Sequence, residues 1–362
     1  MQQMNSRRKV KKIIVVEGQV AILPCESTLS SRNTSAETTL LRWFHNRYHK
    51  PLYTLDVRHV NQQSKSFRWS DNNARHFPSP DYEGRLYLEL NSEIPTLRID
   101  PVLFDDHGRY TCQVDFRTSR SVSSYTDLRV IIPPKGVVIR DQEDRKVEGV
   151  IGPFNLGETL IITCEALGGD PLPLLSWSGT YGNSTGAYHQ ITTNTTSTIK
   201  IPRLQRNDQW THFTCTARNS NLTLAKSSTV TVEINLPPLD IKMEKNFLEP
   251  LSDGKEVTFT CKSFGSHPRA HIRWCLDGQS VTSKDVVAEN GNLTISYHQR
   301  RSSSQDDGKT LECIVTNPNI PSFILKQTYT INVHCMKENR RDEWLIHFCF
   351  AAFEKRSIRR VC

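Results

Sequence analysis

The stretch Leu97-Arg98-Ile99-Asp100-Pro101-Val102-Leu103-Phe104-Asp105-Asp106-His107-Gly108-Arg109-Tyr110-Thr111-Cys112 decides the fold. Leu97 and Ile99 alternate as on a strand with one buried face, Val102 and Asp106 follow, and Gly108 opens a second strand that carries Tyr110 and Cys112 inward. A tyrosine two residues before a cysteine is placed to fold its hydroxyl back onto backbone a few residues upstream. The cysteine then wants a partner on an opposing sheet. Cys25 offers one, closing a strand on which Ala21, Leu23 and Cys25 share a face. Between them Leu41 and Trp43 alternate on a further strand, and Arg85, just after Gly84, is positioned to pair with Asp106.

The pattern recurs twice. Cys164 and Cys215 enclose Trp177, and Cys261 and Cys313 enclose Trp274, as Cys25 and Cys112 enclose Trp43; the cysteine-to-tryptophan steps are 18, 13 and 13 residues. A disulfide between two sheets with a tryptophan packed on it is the signature of the immunoglobulin sandwich. The chain is therefore expected to be all-β, with three tandem immunoglobulin-like sandwiches, the first variable-type and the next two shorter, of constant or intermediate type. Each bridge closes a loop long enough to stabilise its domain by roughly 4 kcal/mol in the chain-entropy picture. Such bonds persist in an oxidising compartment, which places the folded part outside the cell. Five Asn-x-Ser/Thr sequons, at Asn33, Asn183, Asn194, Asn221 and Asn292, agree with that and are expected glycosylation sites.

The first domain is expected over residues 13–132, where an 87-residue cysteine separation leaves room for extra C′ and C″ strands. Pro133-Pro134 and Pro237-Pro238 end strand pairing and stiffen short linkers, giving domains at 133–235 and 236–334 strung as a semi-rigid rod. Phe213 and Leu311 stand where the first domain has its corner tyrosine. Residues 1–12 form a basic segment, and residues 335–362 show no sandwich pattern.

Composition excludes several classes. Of the net charge of +8, residues 1–12 hold +5 and residues 335–362 hold +3, so the body is neutral and no nucleic-acid partner is expected. No apolar run approaches the ~20 residues of a membrane helix. Residues 1–12 lack the apolar core of a secretion signal, which sits oddly with paired cysteines; the expectation is an incomplete gene product, with any membrane attachment through a span missing from this chain.

No cofactor, metal or catalytic role is expected. Gly182-Asn183-Ser184-Thr185-Gly186 matches the esterase nucleophile pattern, but that motif needs a strand-to-helix turn in a parallel sheet and here overlaps a sequon in an all-β domain. His45, His49 and His59 lack ligand spacing and are expected at the surface; no close cysteine pair suggests zinc. Asp105-Asp106 and Asp306-Asp307 precede the strand of the second cysteine and are expected to be structural. Cys275 follows Trp274 and faces away from the Cys261–Cys313 bond; it could pair with Cys335, face solvent, or cross-link chains, and the pairing of Cys335, Cys349 and Cys362 is likewise open.

Several longer stretches point further. Pro51-Leu52-Tyr53-Thr54-Leu55-Asp56-Val57-Arg58, Trp69-Ser70, Val114-Asp115-Phe116, Ile131-Ile132-Pro133-Pro134, Val138-Ile139-Arg140-Asp141, Gly152-Pro153-Phe154-Asn155-Leu156-Gly157 and Gly168-Gly169-Asp170-Pro171-Leu172-Pro173 resemble the Sidestep family of arthropod cell-surface immunoglobulin proteins. The resemblance spans roughly residues 13–333 and is most specific in the first 175. It implies a cell-surface adhesion or axon-guidance ligand whose first domain meets that of an immunoglobulin-superfamily receptor of the Beaten path type. The family's later domains and membrane span have no counterpart in these residues.

Alternation supplies a contact face independently. With Leu41, Trp43, Tyr110 and Cys112 inward, Arg42, Phe44, Thr111 and Gln113 point outward, with Tyr53, Asp56, Arg58, Asp115 and Arg117 expected near the rim. Aromatic anchors among arginines and mixed charges resemble an interface, and an outward Phe44 on a lone chain is mildly costly. The expected partner-binding set is thus Arg42, Phe44, Tyr53, Asp56, Arg58, Gln113, Asp115 and Arg117. The competing expectation is a soluble immunoglobulin-type receptor or decoy that captures a secreted ligand through its loops.

Overall fold

A computed structural model describes residues 10–27, 38–59, 74–82, 84–91, 94–179, 189–192, 196–249, 251–287, 292–338 and 344–348. Among the described residues the first sandwich has nine strands: β1 (Val10–Val16), β2 (Ala21–Pro24), β3 (Thr38–His45), β4 (Tyr53–Asp56), β5 (Arg75–Pro78), β6 (Leu86–Glu89), β7 (Thr96–Ile99), β8 (Gly108–Phe116) and β9 (Val122–Ile131). One sheet runs β1-β9-β8-β3-β4-β5 and the other β2-β7-β6. β1 lies parallel to β9, while β3, β4, β5, β8 and β9 pair antiparallel. β4 and β5 are the extra strands that the long cysteine separation allows.

Period-2 alternation builds the core. Ala21, Leu23, Cys25, Leu41, Trp43, Leu97, Ile99, Val102, Tyr110 and Cys112 are all buried in one cluster. The Cys25–Cys112 bond joins the two sheets at a Cα–Cα distance of 5.5 Å. The tyrosine corner forms: Tyr110 donates from its hydroxyl to the Asp106 carbonyl at 2.8 Å. Beneath it Arg85 donates to both Asp106 carboxylate oxygens, at 2.8 and 3.3 Å, and to the Pro101 carbonyl at 2.9 Å, while the Leu103 amide donates to Asp106 Oδ2 at 2.8 Å. A buried carboxylate here is fully paired, which is what makes its burial tolerable.

The second and third sandwiches follow the same logic. Cys164–Cys215 and Cys261–Cys313 bridge their sheets at Cα–Cα distances of 6.3 and 6.5 Å. Phe213 and Leu311 fill the corner position as fully buried hydrophobes, so these two corners lack the phenolic bond. Asp306 nevertheless pairs with Arg300 and with Lys309, and Asp307 accepts from the Val333 amide at 2.9 Å, so the second acidic pair is structural. The last described strands, Val333–Glu338 and Trp344–Phe348, pair antiparallel and carry β structure past residue 334.

One side chain departs from expectation, and one open choice is narrowed. His45 is buried, not at the surface, because it shares the inward face of Leu41 and Trp43 and sits opposite Tyr110, whose ring centroid is 4.7 Å away. Burial lowers its pKa below the ordinary value, and the His107 carbonyl near Nε2 opposes that only in part. Cys275 points away from the third core yet is buried and disulfide-bonded, which removes the solvent-facing alternative.

Candidate partner-binding face

The outward face of the six-stranded sheet is set by register, because residues directly opposite one another on paired strands point the same way. Phe44 pairs with Thr111, which pairs with Tyr125, giving one row across β3, β8 and β9. Phe77, Thr54, Arg42, Gln113 and Ser123 form the next row, from β5 through to β9. Leu40 lies in a third row between Asp56 and Asp115.

Charge sits at the centre of this face in paired form. Arg42 Nη2 is 2.5 Å from Asp115 Oδ2, and its guanidinium carbon lies 5.6 Å from the Phe44 ring centroid, within cation–π reach. Asp115 also accepts from Gln113 Nε2 at 2.7 Å and from Ser121 at 2.6 Å. Partial burial pushes the Asp115 pKa up, but the bonds from Ser121, Gln113 and Arg42 outweigh it and the net shift is downward. The carboxylate therefore stays charged and the guanidinium stays oriented. Towards the lower end Arg109 and Asp127 make a bidentate pair at 2.7 and 3.0 Å.

Arg42, Phe44, Gln113 and Asp115 thus occupy the outward face as expected, each partly exposed, and Arg117 is exposed at the end of β8. Tyr53 does not. It is 6% exposed and belongs to the core, because it pairs with Trp43 and takes the same inward face; its hydroxyl lies 2.8 Å from His76 Nδ1. Asp56 is 4% exposed, covered rather than presented. It accepts from the Arg58 backbone amide and from Arg58 Nε and Nη2, the last at 2.6 Å, and these bonds hold its pKa down at about 2. Arg58 is the surface member of that pair, its guanidinium held in place by a buried carboxylate.

Phe77 and Tyr125 join the face without having been expected there. Phe77, 54% exposed on β5, is its most open aromatic side chain. Tyr125 was readable: Thr126, Leu128 and Val130 are buried on β9, so Tyr125, Asp127 and Arg129 face out. Phe77 was not, since its strand is uniformly exposed and its direction follows only from pairing with Thr54.

Among the expected glycosylation sites, Asn221 and Asn292 are exposed; Asn33, Asn183 and Asn194 lie outside the described residues, as does the Gly182–Gly186 motif. No group of three or more metal-ligating side chains occurs among the described residues. No described helix is long and apolar enough to cross a membrane.

Comparison with known proteins agrees with this architecture. Residues 9–131 match the immunoglobulin V-set domain model, and residues 233–320 match the CD80-like C2-set immunoglobulin domain model. Human nephrin is 23% identical over 248 residues, covering 66% of this chain; the match spans 19% of nephrin's own length. A chain of the crystal structure of Dpr2 Ig1-Ig2 in complex with DIP-Theta Ig1-Ig3 superposes with a TM-score of 0.53 at 16% identity, over 90% of this chain and 97% of that one. The full ectodomain (Ig1-Ig3) of mouse nectin-like molecule 4 gives 0.55 at 17% identity, over 90% and 98%. With a V-set domain at its start, a C2-set domain near its end and a disulfide-bridged sandwich between them, the chain is of the immunoglobulin superfamily.

Proposed function

We propose that this chain is a cell-surface adhesion or guidance ligand that binds another immunoglobulin-superfamily protein, of the Beaten path type, through the outward face of its first domain. The observation that carries the reading is the face itself: Phe44, Phe77 and Tyr125 project around the oriented Arg42–Asp115 pair on a broad sheet. Aromatic anchors beside an oriented charge pair and an arginine rim are how protein interfaces concentrate binding energy. The likeness of the quoted stretches to the Sidestep family supports the partner class. The Dpr2–DIP-Theta structure is itself a complex of two immunoglobulin proteins.

The test is a titration of the immobilised chain with Beaten path-family ectodomains. Binding at micromolar concentrations, lost in Phe44→Asp with the fold intact, is expected; multivalency between cells would raise the effective strength. Absence of any partner at those concentrations, with the chain folded, overturns the reading. Binding that survives both Phe44→Asp and Phe77→Asp moves the contact to the loops and favours a receptor or decoy for a secreted ligand.

A further inference from the structure

Both proline linkers are seated by the same set of bonds. At the first, Ile132 forms a two-bond antiparallel bridge with Asp170, each N–H donating to the other's carbonyl at 2.9 Å. At the second, Leu236 bridges His267 in the same way, at 2.6 and 2.9 Å. Ile132 and Leu236 each stand directly before a Pro-Pro pair; Asp170 and His267 each lie six residues after the first cysteine of their domain and directly before a proline. An asparagine four residues after the second cysteine completes both sites. Asn219 Nδ2 donates to the Ile132 carbonyl at 2.7 Å and the Pro171 carbonyl at 2.9 Å. Asn317 Nδ2 lies 2.9 Å from the Leu236 carbonyl and 2.9 Å from the His267 carbonyl. Space for this is enforced at the first linker, where Gly169 has φ +105 and a Cβ there would stand 2.8 Å from Pro173 and 3.3 Å from Asn219 Nδ2.

The two linkers differ in what is added. Asn317 Oδ1 also accepts from the Asn319 amide at 2.8 Å, so that asparagine is fixed at both ends, whereas Asn219 Oδ1 is buried without a partner. Arg206, on the 3-10 turn of the second domain, donates to the Gly265 carbonyl and, at 2.6 Å, to the Pro237 carbonyl. His267 Nε2 lies 2.8 Å from Glu233 Oε1, and its ring meets Trp210 edge-on at 5.2 Å. Asn319 Nδ2 donates to Asn235 Oδ1 at 2.8 Å. On the first domain the corresponding 3-10 turn begins with Phe104, which has no side-chain donor to offer its linker.

We propose that the paired bridge and asparagine form a repeated clasp that makes each linker part of the domain after it, and that Arg206 locks the second linker so that the second and third domains move as one body on which the first domain turns. Pro133, Pro134, Pro237 and Pro238 carry no amide hydrogen, so the amides that report on this are few and unambiguous.

Hydrogen–deuterium exchange of the whole chain tests it. The amides of Ile132, Asp170, Leu236 and His267 are all protected, with those of Leu236 and His267 slowest. Asn317→Ala speeds Leu236 and His267 by roughly ten-fold, about one net hydrogen bond, and leaves core amides such as those of Cys215 and Cys313 unchanged. Arg206→Gln, which touches no core, brings the second linker to the exchange rate of the first. The proposal is overturned if these four amides exchange as in an unstructured chain. It is equally overturned if Asn317→Ala leaves Leu236 and His267 unmoved, or if Arg206→Gln accelerates Ile132 as much as Leu236. Should Asn317→Ala also expose the core amides, the Arg206→Gln comparison decides alone.

Discussion

Phe77→Ala separates binding from stability more cleanly than any other change on the face. The side chain is 54% exposed on a short strand and contributes little to its own domain. A phenylalanine offers about 150–250 Å² for burial, so on the order of 100 Å² of Phe77 remains to be covered by a partner. At about 25 cal/mol per Å² that is about 2.5 kcal/mol, or a loss of affinity approaching 100-fold if Phe77 becomes wholly buried and roughly 10-fold if only half of it does. The unfolding free energy should move by no more than about 0.5 kcal/mol, as for other exposed positions. Two measurements on the same preparation suffice: surface-plasmon titration with a Beaten path-family ectodomain, and a thermal melt. An unchanged dissociation constant places the contact elsewhere. A melting point lowered by several degrees shows instead that Phe77 holds β5 in place, and the reasoning from its exposure is wrong.

Four further outcomes are expected. Asp106→Ala strands Arg85 and the Leu103 amide and should cost about 3–5 kcal/mol in the first domain, seen as faster exchange of the β8 amides; a loss below 1 kcal/mol would mean that the pair is not buried in solution. Gly108→Ala places a Cβ 2.3 Å from His45 Nε2 at φ +151, so it should destabilise the same domain; a thermal melt that stays at the wild-type midpoint argues against that clash. His45 and His298 are held below their ordinary pKa of 6.5 first by burial, so the unfolded chain takes up protons that the folded one refuses; stability should fall as pH drops through 6.5, and His45→Asn should flatten that slope in urea titrations. Asp56, held at about 2 against an ordinary 3.8, gives stability that is present above 3.8 and lost as pH falls towards 2; Arg58→Ala should erase that step in an acid titration followed by β4 exchange.

Most of the scaffold could be read from residue spacing. The three cysteine pairs, the enclosed tryptophans, the Tyr110 corner and the Arg85–Asp106 pair depend on local pattern and on a core that admits one solution. Arg42, Phe44 and Gln113 were likewise legible, being the alternates of buried Trp43 and Cys112. Tyr53 was misplaced although Tyr53, Leu55 and Val57 share one parity and are all buried; that run of apolar alternates was the signal. Asp56 does lie on the outward side, but its burial follows from Arg58 folding over it, which alternation cannot report. Phe77 belongs to a strand with no apolar rhythm, and only its hydrogen-bonded neighbour reveals its side. The linker clasp joins positions up to 87 residues apart and leaves only Asn219 and Asn317 as a hint, each at the same step beyond a cysteine.

The bridges Cys25–Cys112, Cys164–Cys215 and Cys261–Cys313 follow one another along the chain, none reaching across another. A chain arranged in this way can oxidise in order of synthesis. When Cys112 emerges, its mate is already waiting and no later thiol is yet present to compete, and the same holds for Cys215; Cys313 emerges with both Cys261 and Cys275 ahead of it. Vectorial maturation is thereby built into the order of the cysteines in the first two domains, and an isomerase is needed most in the third, where Cys275 can compete with Cys313 for Cys261.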